Sequence, residues 1–434
     1  MCSGCGAESP KWMGKCPGCG EWNTLQEIEV SRSSGKKTVS LPKTEKLKIV
    51  TEDERISTDV GEFDRVLGGG AIRGEVMLFG GAPGIGKSTL LLNLCEDLLG
   101  QGFKVLYFSA EESVSQISQR AMRVVKNHND IKDKLDLVNS SDVDEAVSFV
   151  EGGKYDVVIV DSIQTVSTDD LSALPGSISQ VRESAMRLTR AAKSSGTVLA
   201  IVGHVTKEGN VAGPMVLSHI VDAVFVLEGD SFGDLRILRG VKNRFGNVNE
   251  IGLFQMLDIG MVPVEDASEV LIGKLDAKVP GVARGVLVEG VRPMLIDVQA
   301  LVTKTAYSMP KRVSNGIELR RLQMLIAVLS KVSRLKLSEY DVFVNIAGGF
   351  QVKDPALDLP ICMAILSSYK NKPLPISSAY IGEVGLSGEV RPTMRHKSRL
   401  GEASRLGVKN IHSCGEGKNG YRHISEFVHS VKSS

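Results

Sequence analysis

The sequence lacks long apolar runs, an excess of charge of either sign, and an N-terminal segment with the basic-then-apolar pattern of a signal peptide. No apolar stretch approaches the roughly 18 residues that a bilayer-spanning helix needs, and the first residues are polar and rich in cysteine. The 52 lysines and arginines nearly cancel the 51 aspartates and glutamates, which leaves a net charge of +1. The sequence therefore predicts a cytoplasmic protein without a membrane partner, in which any polyanion site comes from local clusters of charge.

What the sequence does contain is typical of a folded protein of several domains. Its 434 residues correspond to about three domains of roughly 150 residues each. Hydrophobic residues make up 42% of the chain, charged residues make up 24%, and there are 45 glycines. This composition excludes a disordered or collagen-like chain.

Four of the seven cysteines lie within residues 1–19, as the pairs Cys2–Cys5 and Cys16–Cys19. Two-residue spacing lets both thiolates of a pair face one tetrahedral Zn²⁺, and the glycine after each pair permits a tight turn. Two disulfides are the alternative, but they need an oxidising compartment that no signal peptide indicates. We predict a zinc ribbon over residues 1–27, folded by its metal, and a flexible basic linker over residues 28–50.

Residues 51–265 alternate short apolar strands with helical patterns. The segments VMLFGG, KVLYFSAEE, DVVIVDSIQ and TVLAIVGHV have the composition of strands. This alternation predicts βαβ units around a parallel sheet. The segments AVFVLEGD, LRILRGVKNR and EIGLFQML follow with short turns between them, which suggests an antiparallel extension at the sheet edge.

A phosphate-binding motif follows the first of these strands. It runs Gly81, Ala82, Pro83, Gly84, Ile85, Gly86, Lys87, Ser88 and Thr89, with a helical pattern directly after it. In this context glycines turn successive N–H groups toward phosphates, Lys87 neutralises the β and γ oxygens, and the Ser88 hydroxyl can bind Mg²⁺. We therefore predict an ATP site; a glycine turn with a solvated lysine would leave the strand and helix unexplained.

Carboxylates follow two of the other predicted strands. Asp161 ends VVIVD, where a Mg²⁺-organising acid is expected, although a helix N-cap is an alternative role. Glu111 and Glu112 follow KVLYFSA at the same predicted sheet edge. At least one of them could act as the general base that orients the attacking water; otherwise they are surface charges.

The segment STDVGEFDRVLGGGAIRGEVMLFGGAPGIGKSTLL resembles the RecA superfamily of ATPases. The order of cysteine ribbon, this core and the segment KNRFG at residues 242–246 resembles, more narrowly, the bacterial RadA (Sms) family of recombination and DNA-repair ATPases. The resemblance covers nearly the whole chain, because residues 266–434 resemble the Lon protease domain. It implies a RecA-like P-loop core at residues 51–265, between the N-terminal ribbon and a C-terminal α+β scaffold.

The resemblance also implies roles for particular residues. Glu111 would activate water, Asp161 would be the Walker B acid, and His204 would sense the γ-phosphate, although a lone histidine after a strand is more often structural. Residues 205–216 look like the DNA-facing loop of the superfamily, or a plain surface loop. Lys242 and Arg244 alternate along a predicted strand and would reach the nucleotide of a neighbouring subunit; the alternative is a solvated basic stripe.

The C-terminal segment resembles the part of Lon proteases that carries a serine–lysine dyad. Lys397 falls at the position of the dyad lysine, but no serine lies between Gln351 and Pro360, so proteolysis is not expected. Cations concentrate here in two clusters that favour contact with the DNA backbone, although such clusters are often solvated helix faces. They are Lys304, Lys311, Arg312, Arg320, Arg321, Lys331, Arg334 and Lys336, then Arg391, Arg395, Lys397, Arg399, Arg405 and Lys409.

Taken with the resemblance, these residues suggest a DNA-dependent ATPase that moves on single-stranded DNA and promotes branch migration of recombination intermediates. The resemblance implies a homo-hexameric ring, single-stranded and branched DNA as partners, a RecA-type recombinase as functional partner, and ATP, Mg²⁺ and Zn²⁺ as cofactors. The alternative is an ATP-switched clamp that binds DNA or a partner without translocating.

Overall fold

The computed structural model describes residues 2, 4, 7, 9, 11–26, 55–125, 131, 133–204, 214–229, 234–272, 279–349, 352–415 and 420–430. The predicted linker, Cys5 and residues 205–213 of the predicted DNA-facing loop lie outside the described residues. The chain divides into two compact units. The first comprises Met1–Glu228, Arg236–Val248 and Phe254–Pro263, and the second comprises Gly229–Leu235, Asn249–Leu253 and Val264–Ser434. The predicted four-segment division stays a prediction.

In the described part of the first unit and its connections, nine strands form one sheet in the order β3-β2-β4-β5-β1-β6-β7-β8-β9. The strands are β1 (Val76–Gly81), β2 (Val105–Ser109), β3 (Asp136–Asn139), β4 (Val157–Asp161), β5 (Val198–Val202), β6 (Ala223–Gly229), β7 (Leu235–Asn243), β8 (Ile251–Leu257) and β9 (Gly260–Pro263). The helices are α1 (Gly61–Leu67), α2 (Lys87–Gly100), α3 (Val114–Val124), α4 (Val143–Glu151), α5 (Ile178–Ser195) and α6 (Pro214–Leu217).

The central strands are buried on both faces, which explains their continuous apolar sequence. Alternate residues of β1 enter two different cores: Met77 and Phe79 lie in the core that includes α2, whereas Val76 and Leu78 lie in the core that includes α5. Strands β1 to β5 pair in parallel. This confirms the predicted βαβ architecture, because a parallel sheet needs helices over both of its faces.

The predicted antiparallel extension is wrong for its first strand. Residues Ala223–Gly229 of this segment form β6, which pairs in parallel with β1 along Met77–Gly81. Strands β8 and β9 do pair antiparallel. The observed pairing differs from the predicted one because β6 pairs with the open edge of β1. These two strands are far apart in sequence, so the short turns that flank β6 do not indicate the pairing.

The second unit is a mixed α+β fold, as predicted. Its strands are β10 (Val282–Glu289), β11 (Arg292–Lys304), β12 (Arg312–Asn315), β13 (Tyr340–Ile346), β14 (Ser378–Ile381), β15 (Glu383–Val384), β16 (Val390–Arg391), β17 (Asn410–Cys414) and β18 (Gly420–Tyr421). Its helices are α7 (Ala267–Leu271), α8 (Leu319–Ser333), α9 (Asp358–Lys370), α10 (His396–Arg405) and α11 (Ile424–Ser430), with short 3-10 turns at Leu337–Glu339, Ala347–Gly349 and Pro355–Leu357. The main sheet has the order β12-β13-β11-β10-β14-β17-β18.

Candidate nucleotide site and cysteine cluster

The glycine-rich loop lies between the end of β1 and the start of α2, as the motif requires. Gly81 ends β1, and Lys87 begins α2. Gly86 has a φ of 112°, a left-handed backbone conformation that favours glycine over residues with a Cβ. The first N–H groups of α2, which have no partner within the helix, can therefore face an anion.

Lys87 lies in the floor of this loop. Its side chain is buried, and Nζ donates to the carbonyl oxygens of Gly81 at 3.0 Å and Ala82 at 3.1 Å. Burial lowers the pKa of Lys87, and the charges of Asp161 and Glu111 act in the opposite direction. A cation beside a glycine loop suits the negative charge of a nucleotide phosphate.

The hydroxyl of Ser88 and the carboxylate of Asp161 come together across the sheet edge. Ser88 Oγ donates to Asp161 Oδ2 at 2.6 Å, and Tyr107 donates to the same oxygen at 2.5 Å. Burial raises the pKa of Tyr107 well above its usual range, and the Asp161 charge raises it further. Tyr107 therefore stays a neutral donor that fixes the carboxylate. Two hard oxygen ligands at this position suit Mg²⁺.

A chain of polar contacts joins Lys87 to Glu111. Lys87 Nζ lies 3.3 Å from His204 Nδ1, and His204 Nε2 lies 3.2 Å from Glu111 Oε1. A neutral imidazole with its proton on Nε2 satisfies both contacts, since Lys87 then donates to Nδ1. His204 reaches this position because β5 lies between β1 and β4 in the sheet. Ser162, directly after Asp161, donates its hydroxyl to Glu111.

The surroundings of the two adjacent glutamates differ. Glu111 contacts His204 and Ser162, which also belong to the edge of the central sheet. The carboxylate of Glu112 instead forms an ion pair with Arg120 of α3. The structure thus brings Glu111, rather than Glu112, into the polar chain that begins at Lys87.

These groups line a cleft of about 300 Å³ at the carboxyl edge of the parallel strands. Its lining includes Gly84, Gly86 and Thr89 of the loop, together with Lys87, Ser88, Glu111, Asp161 and His204. The donor set fits both groups that the sequence predicts here. The loop and Lys87 suit phosphates, whereas the Ser88 and Asp161 oxygens suit a hard divalent cation.

Lys242 and Arg244 are not among the described residues that line this cleft. The strand they were expected to share, β7, ends at Asn243, so Arg244 lies in the bend after it. Lys242 Nζ donates to the carbonyls of Ser218 and Val221, each at 2.6 Å, and Arg244 pairs with buried Asp222 at 3.4 Å. Within one chain, the structure therefore places both cations away from the nucleotide cleft.

The rest of the KNRFG segment packs against the start of the first unit. Asn243 Nδ2 donates to the Val66 carbonyl at 3.3 Å and the Leu67 carbonyl at 3.2 Å. Arg55 donates to the Phe245 carbonyl at 2.9 Å. Gly246 lies so close that a Cβ there would come within 2.7 Å of the Leu67 oxygen. Asn243, Phe245 and Gly246 thus fix the bend from which Arg244 projects.

Three of the four predicted metal ligands converge. The sulfur atoms of Cys2, Cys16 and Cys19 all lie within 4.8 Å of one another, and Cys2 and Cys16 are buried. Cys2 Sγ and Cys19 Sγ are 3.7 Å apart, which is well beyond the ~2.05 Å of a disulfide bond. Converging, unbonded thiols are the donor set that Zn²⁺ prefers. Cys5, the fourth predicted ligand, lies outside the described residues.

The C-terminal cations do not form one exposed surface. Arg399 is buried, donates to the Val286 carbonyl and pairs with Asp354, both at 2.5 Å. Arg321 pairs with the buried carboxylate of Asp358. Arg312 donates to the carbonyls of Lys311, Tyr340 and Leu337. The prediction of a DNA-facing cluster is therefore wrong for Arg399, which is buried. Arg312 and Arg321 are half-buried, and their contact with DNA stays a prediction.

All eleven remaining cations in the two clusters are exposed. They are Lys304, Lys311, Arg320, Lys331, Arg334 and Lys336, then Arg391, Arg395, Lys397, Arg405 and Lys409. Arg391 pairs with Glu389, and Arg405 pairs with Glu402. Lys397 lies on the exposed face of α10. Among the described residues, no helix is long and apolar enough to cross a membrane.

Family comparisons agree with this arrangement. A family described as an AAA domain matches residues 42–210. A rubredoxin metal-binding domain matches residues 1–27, and the ChlI subunit of Mg-chelatase matches residues 316–412. The predicted fold class, with an N-terminal zinc ribbon, a P-loop α/β core and a C-terminal α+β domain, is confirmed.

Curated relatives match almost the full length of the chain. The DNA repair protein RadA of Bacillus subtilis is 43% identical over 420 residues, which cover 95% of this chain and 91% of the relative. The DNA repair protein RadA of Pseudomonas aeruginosa is 44% identical over 416 residues, covering 94% and 90%. The protein of the same name from Rickettsia bellii is 41% identical over 434 residues, covering 99% and 96%.

Proposed function

Because this chain belongs to the family of the DNA repair protein RadA, we propose that it is a DNA-dependent ATPase of recombination and repair. In this proposal it acts in the cytoplasm as a homo-hexameric ring that moves on single-stranded DNA and promotes branch migration. Its functional partner is a RecA-type recombinase. The name of the relatives supports the role in repair, and the site supports the hydrolysis.

The observation that carries the proposal is the meeting of three functions in one cleft. Lys87 and the glycine loop provide phosphate binding, the Ser88–Asp161 pair provides oxygen ligands, and Glu111 provides a carboxylate on the opposite side of His204. These residues lie at or after the carboxyl ends of β1, β2, β4 and β5, so the parallel sheet brings together groups that lie far apart in sequence. Convergence of charged groups in a cleft is typical of functional sites.

The chemistry assigned to these residues is the transfer of the γ-phosphoryl group of ATP to water. Glu111 accepts a proton from the water while the water oxygen forms a bond to the γ-phosphorus. The bond between that phosphorus and the bridging oxygen breaks, and ADP leaves with that oxygen. Lys87 and the loop N–H groups stabilise the negative charge on the phosphate oxygens. Mg²⁺, held by Ser88 and Asp161, would neutralise part of that charge when bound.

His204 is positioned to report on the γ-phosphate. It contacts Lys87 on one side and Glu111 on the other, and the predicted DNA-facing loop begins at the next residue. A phosphate that takes the Lys87 side chain as partner would release His204 from that contact. We assign to His204 the coupling between nucleotide state and the loop at residues 205–216.

Lys242 and Arg244 act in trans in this proposal. They lie away from the cleft of their own chain, and the Arg244 side chain is 55% exposed. Cations that stabilise the transferred phosphoryl group are often supplied by a neighbouring molecule, and their contribution can reach about 10³-fold or more. Hydrolysis would then depend on assembly, which agrees with a ring.

The other two parts of the chain serve DNA handling. The cysteine cluster holds Zn²⁺ and stabilises a ribbon that contacts DNA or another protein. The second unit presents exposed cations to the phosphate backbone and supports oligomerisation. Lys397 has no nucleophilic serine between Gln351 and Pro360, so proteolysis is not part of the proposal.

The test is a strand-displacement assay on forked and three-strand DNA junctions. A translocase should extend the branch with ATP, show hydrolysis stimulated by single-stranded DNA, and lose both activities in Lys87→Ala. Stimulated hydrolysis without branch extension would favour the alternative, an ATP-switched clamp. Hydrolysis that ignores DNA would contradict both readings.

A further inference from the structure

A buried carboxylate outside the nucleotide cleft contacts Arg244, one of the two cations of the KNRFG segment. Asp222 immediately precedes β6 and is 1% exposed. Its Oδ1 accepts hydrogen bonds from Lys193 Nζ at 2.9 Å and Arg244 Nη1 at 3.4 Å. Its Oδ2 accepts from the backbone N–H of Val76, at the start of β1, at 3.2 Å. The central sheet therefore fixes this carboxylate in place.

The same stretch of backbone holds the second cation. We call residues 218–222 the connector, because they join α6 to β6. Lys242 Nζ donates to the carbonyls of Ser218 and Val221, and the Arg244 N–H donates to the Asp222 carbonyl at 3.3 Å. Both cations of the KNRFG segment are thus held by one five-residue connector.

Two neighbouring cations need a nearby anion. Burial lowers the pKa of Lys242, and the like charge of Arg244 lowers it further, whereas the Asp222 charge acts in the opposite direction. A buried carboxylate offsets this repulsion and also restricts the rotamers of a long arginine side chain. Arg244 nevertheless stays half exposed, so its guanidinium is available to another molecule.

We propose that Asp222 is a positioning residue that holds Arg244 and Lys242 in the orientation in which they reach the nucleotide of a neighbouring subunit. This inference rests on the proposed function, in which the two cations act in trans. Asp222 itself touches no substrate. By restricting the Arg244 side chain in advance, Asp222 reduces the conformational entropy that Arg244 loses when it binds the phosphates.

The experiment uses full-length mixed assemblies of two variants. Lys87→Ala subunits hydrolyse nothing but keep their trans cations, and Arg244→Ala subunits keep their own site but lack the trans arginine. The mixture should regain hydrolysis where an intact site meets intact cations. We call the Lys87→Ala subunit the donor, because it supplies the cations, and the Arg244→Ala subunit the acceptor, because it supplies the intact site. Asp222→Asn is then introduced either into the donor or into the acceptor. Sedimentation verifies that both mixtures assemble equally.

The two arms have different expected results. In the donor, Asp222→Asn should reduce the regained kcat about fivefold, the size expected when a partly exposed ion pair is lost. In the acceptor, the same substitution should leave the regained kcat within about twofold, since that subunit supplies no arginine. Lys193→Gln in the donor is the matched control, because it removes another partner of the same carboxylate and should also stay within about twofold.

Equal losses in both arms would show a merely structural role and overturn the inference, as would no loss in the donor. If the simple mixture of Lys87→Ala and Arg244→Ala regains nothing at any ratio, the trans arrangement fails, and the role of Asp222 fails with it. If Asp222→Asn does not assemble, Asp222→Glu keeps the charge but displaces the carboxylate. We then expect Asp222→Glu to reduce the regained kcat when it is in the donor but not when it is in the acceptor. If it does not, the inference is overturned.

Discussion

At the scale of single residues, the most informative difference is between two adjacent glutamates. Glu111 faces His204 and Ser162, whereas Glu112 is paired with Arg120. Glu111→Gln keeps the shape and can keep the hydrogen bond from Ser162, but it cannot accept the proton of water. We expect kcat for ATP hydrolysis to fall by about 10²-fold or more, with nucleotide affinity within about threefold of wild type.

Glu112→Gln is the matched control for this substitution. It removes an ion pair rather than a base, so its loss of kcat should be at least about tenfold smaller than that of Glu111→Gln. Steady-state hydrolysis and binding of a fluorescent nucleotide measure the two quantities separately. Equal losses of kcat in the two variants would contradict the assignment of Glu111, rather than Glu112, as the general base.

Glu75 should make stability depend on pH. It is buried directly before β1. Burial, followed by the charge of Asp222, raises its pKa to about 7, against the effects of the Ile72 N–H hydrogen bond and the charges of Arg55 and Lys193. The folded chain keeps this proton up to about pH 7, whereas the unfolded chain releases it near the ordinary value of 4.5. The free energy of unfolding therefore decreases as pH rises between these values, by roughly 3 kcal/mol from this group.

Glu75→Gln removes this titration and keeps an acceptor for the Ile72 N–H, which Glu75 Oε2 binds at 2.9 Å. The variant should therefore gain thermal stability over wild type at pH 8 and lose most of that advantage at pH 5. Thermal unfolding curves of both proteins across this range provide the check. An advantage that is the same at every pH would refute the assignment.

Sequence reasoning at this scale succeeded where a residue belongs to a local pattern and failed where its partner is distant. Lys87, Ser88 and Asp161 follow from strand, loop and helix signals in their own segments. Tyr107 went unnoticed inside an apolar strand, although a buried tyrosine hydroxyl generally needs a partner. Arg399 looked like a surface cation because Asp354, which pairs with it, lies 45 residues away.

At the scale of elements, the cysteine ribbon provides its own spectroscopic probe. Both tryptophans of the chain, Trp12 and Trp22, lie within it, and they are 71% and 70% exposed. A ribbon that depends on zinc should unfold when the metal is removed, because so small a segment lacks a core. Unfolding frees the two side chains to rotate, so tryptophan anisotropy should fall. The emission maximum should hardly move, because both rings are already exposed.

The same experiment counts the metal. We expect one Zn²⁺ per chain to be released by a thiol-modifying reagent, and Cys16→Ser to purify with substoichiometric zinc. Cys414→Ser is the control, because Cys414 lies on β17 in the second unit. A chain that releases no zinc, or that keeps the same anisotropy after releasing it, would contradict the ribbon assignment.

Element order was predictable from periodicity, but strand pairing was only partly so. The alternation of strands and helices predicted β1, β2, β4, β5 and the parallel sheet, whereas the short edge strand β3 was not predicted. The pairing of β6 with β1 did not follow, because it depends on which strand edge stays open after the others have packed. The same limit applies to the KNRFG segment, whose position against Leu67 and Gly68 is set by contacts distant in sequence.

At the scale of the whole molecule, the two units and the separation of cations from the cleft suggest that one chain is an incomplete enzyme. Lys87, Ser88, Asp161 and Glu111 line the cleft, but Lys242 and Arg244 are held elsewhere by the connector. A ring that joins each site to the next subunit's cations would also link hydrolysis to movement along DNA. Composition alone could not indicate this, because the net charge of +1 hides local basic surfaces.

The central claim, that hydrolysis in this cleft drives movement on DNA, is tested most directly by displacement of streptavidin from biotin at the end of a single strand. With saturating ATP, wild-type protein should displace streptavidin and do so faster from one end of the strand. Glu111→Gln should bind the same strand and displace nothing. DNA-stimulated hydrolysis without displacement from either end would contradict the claim and leave a clamp as the function.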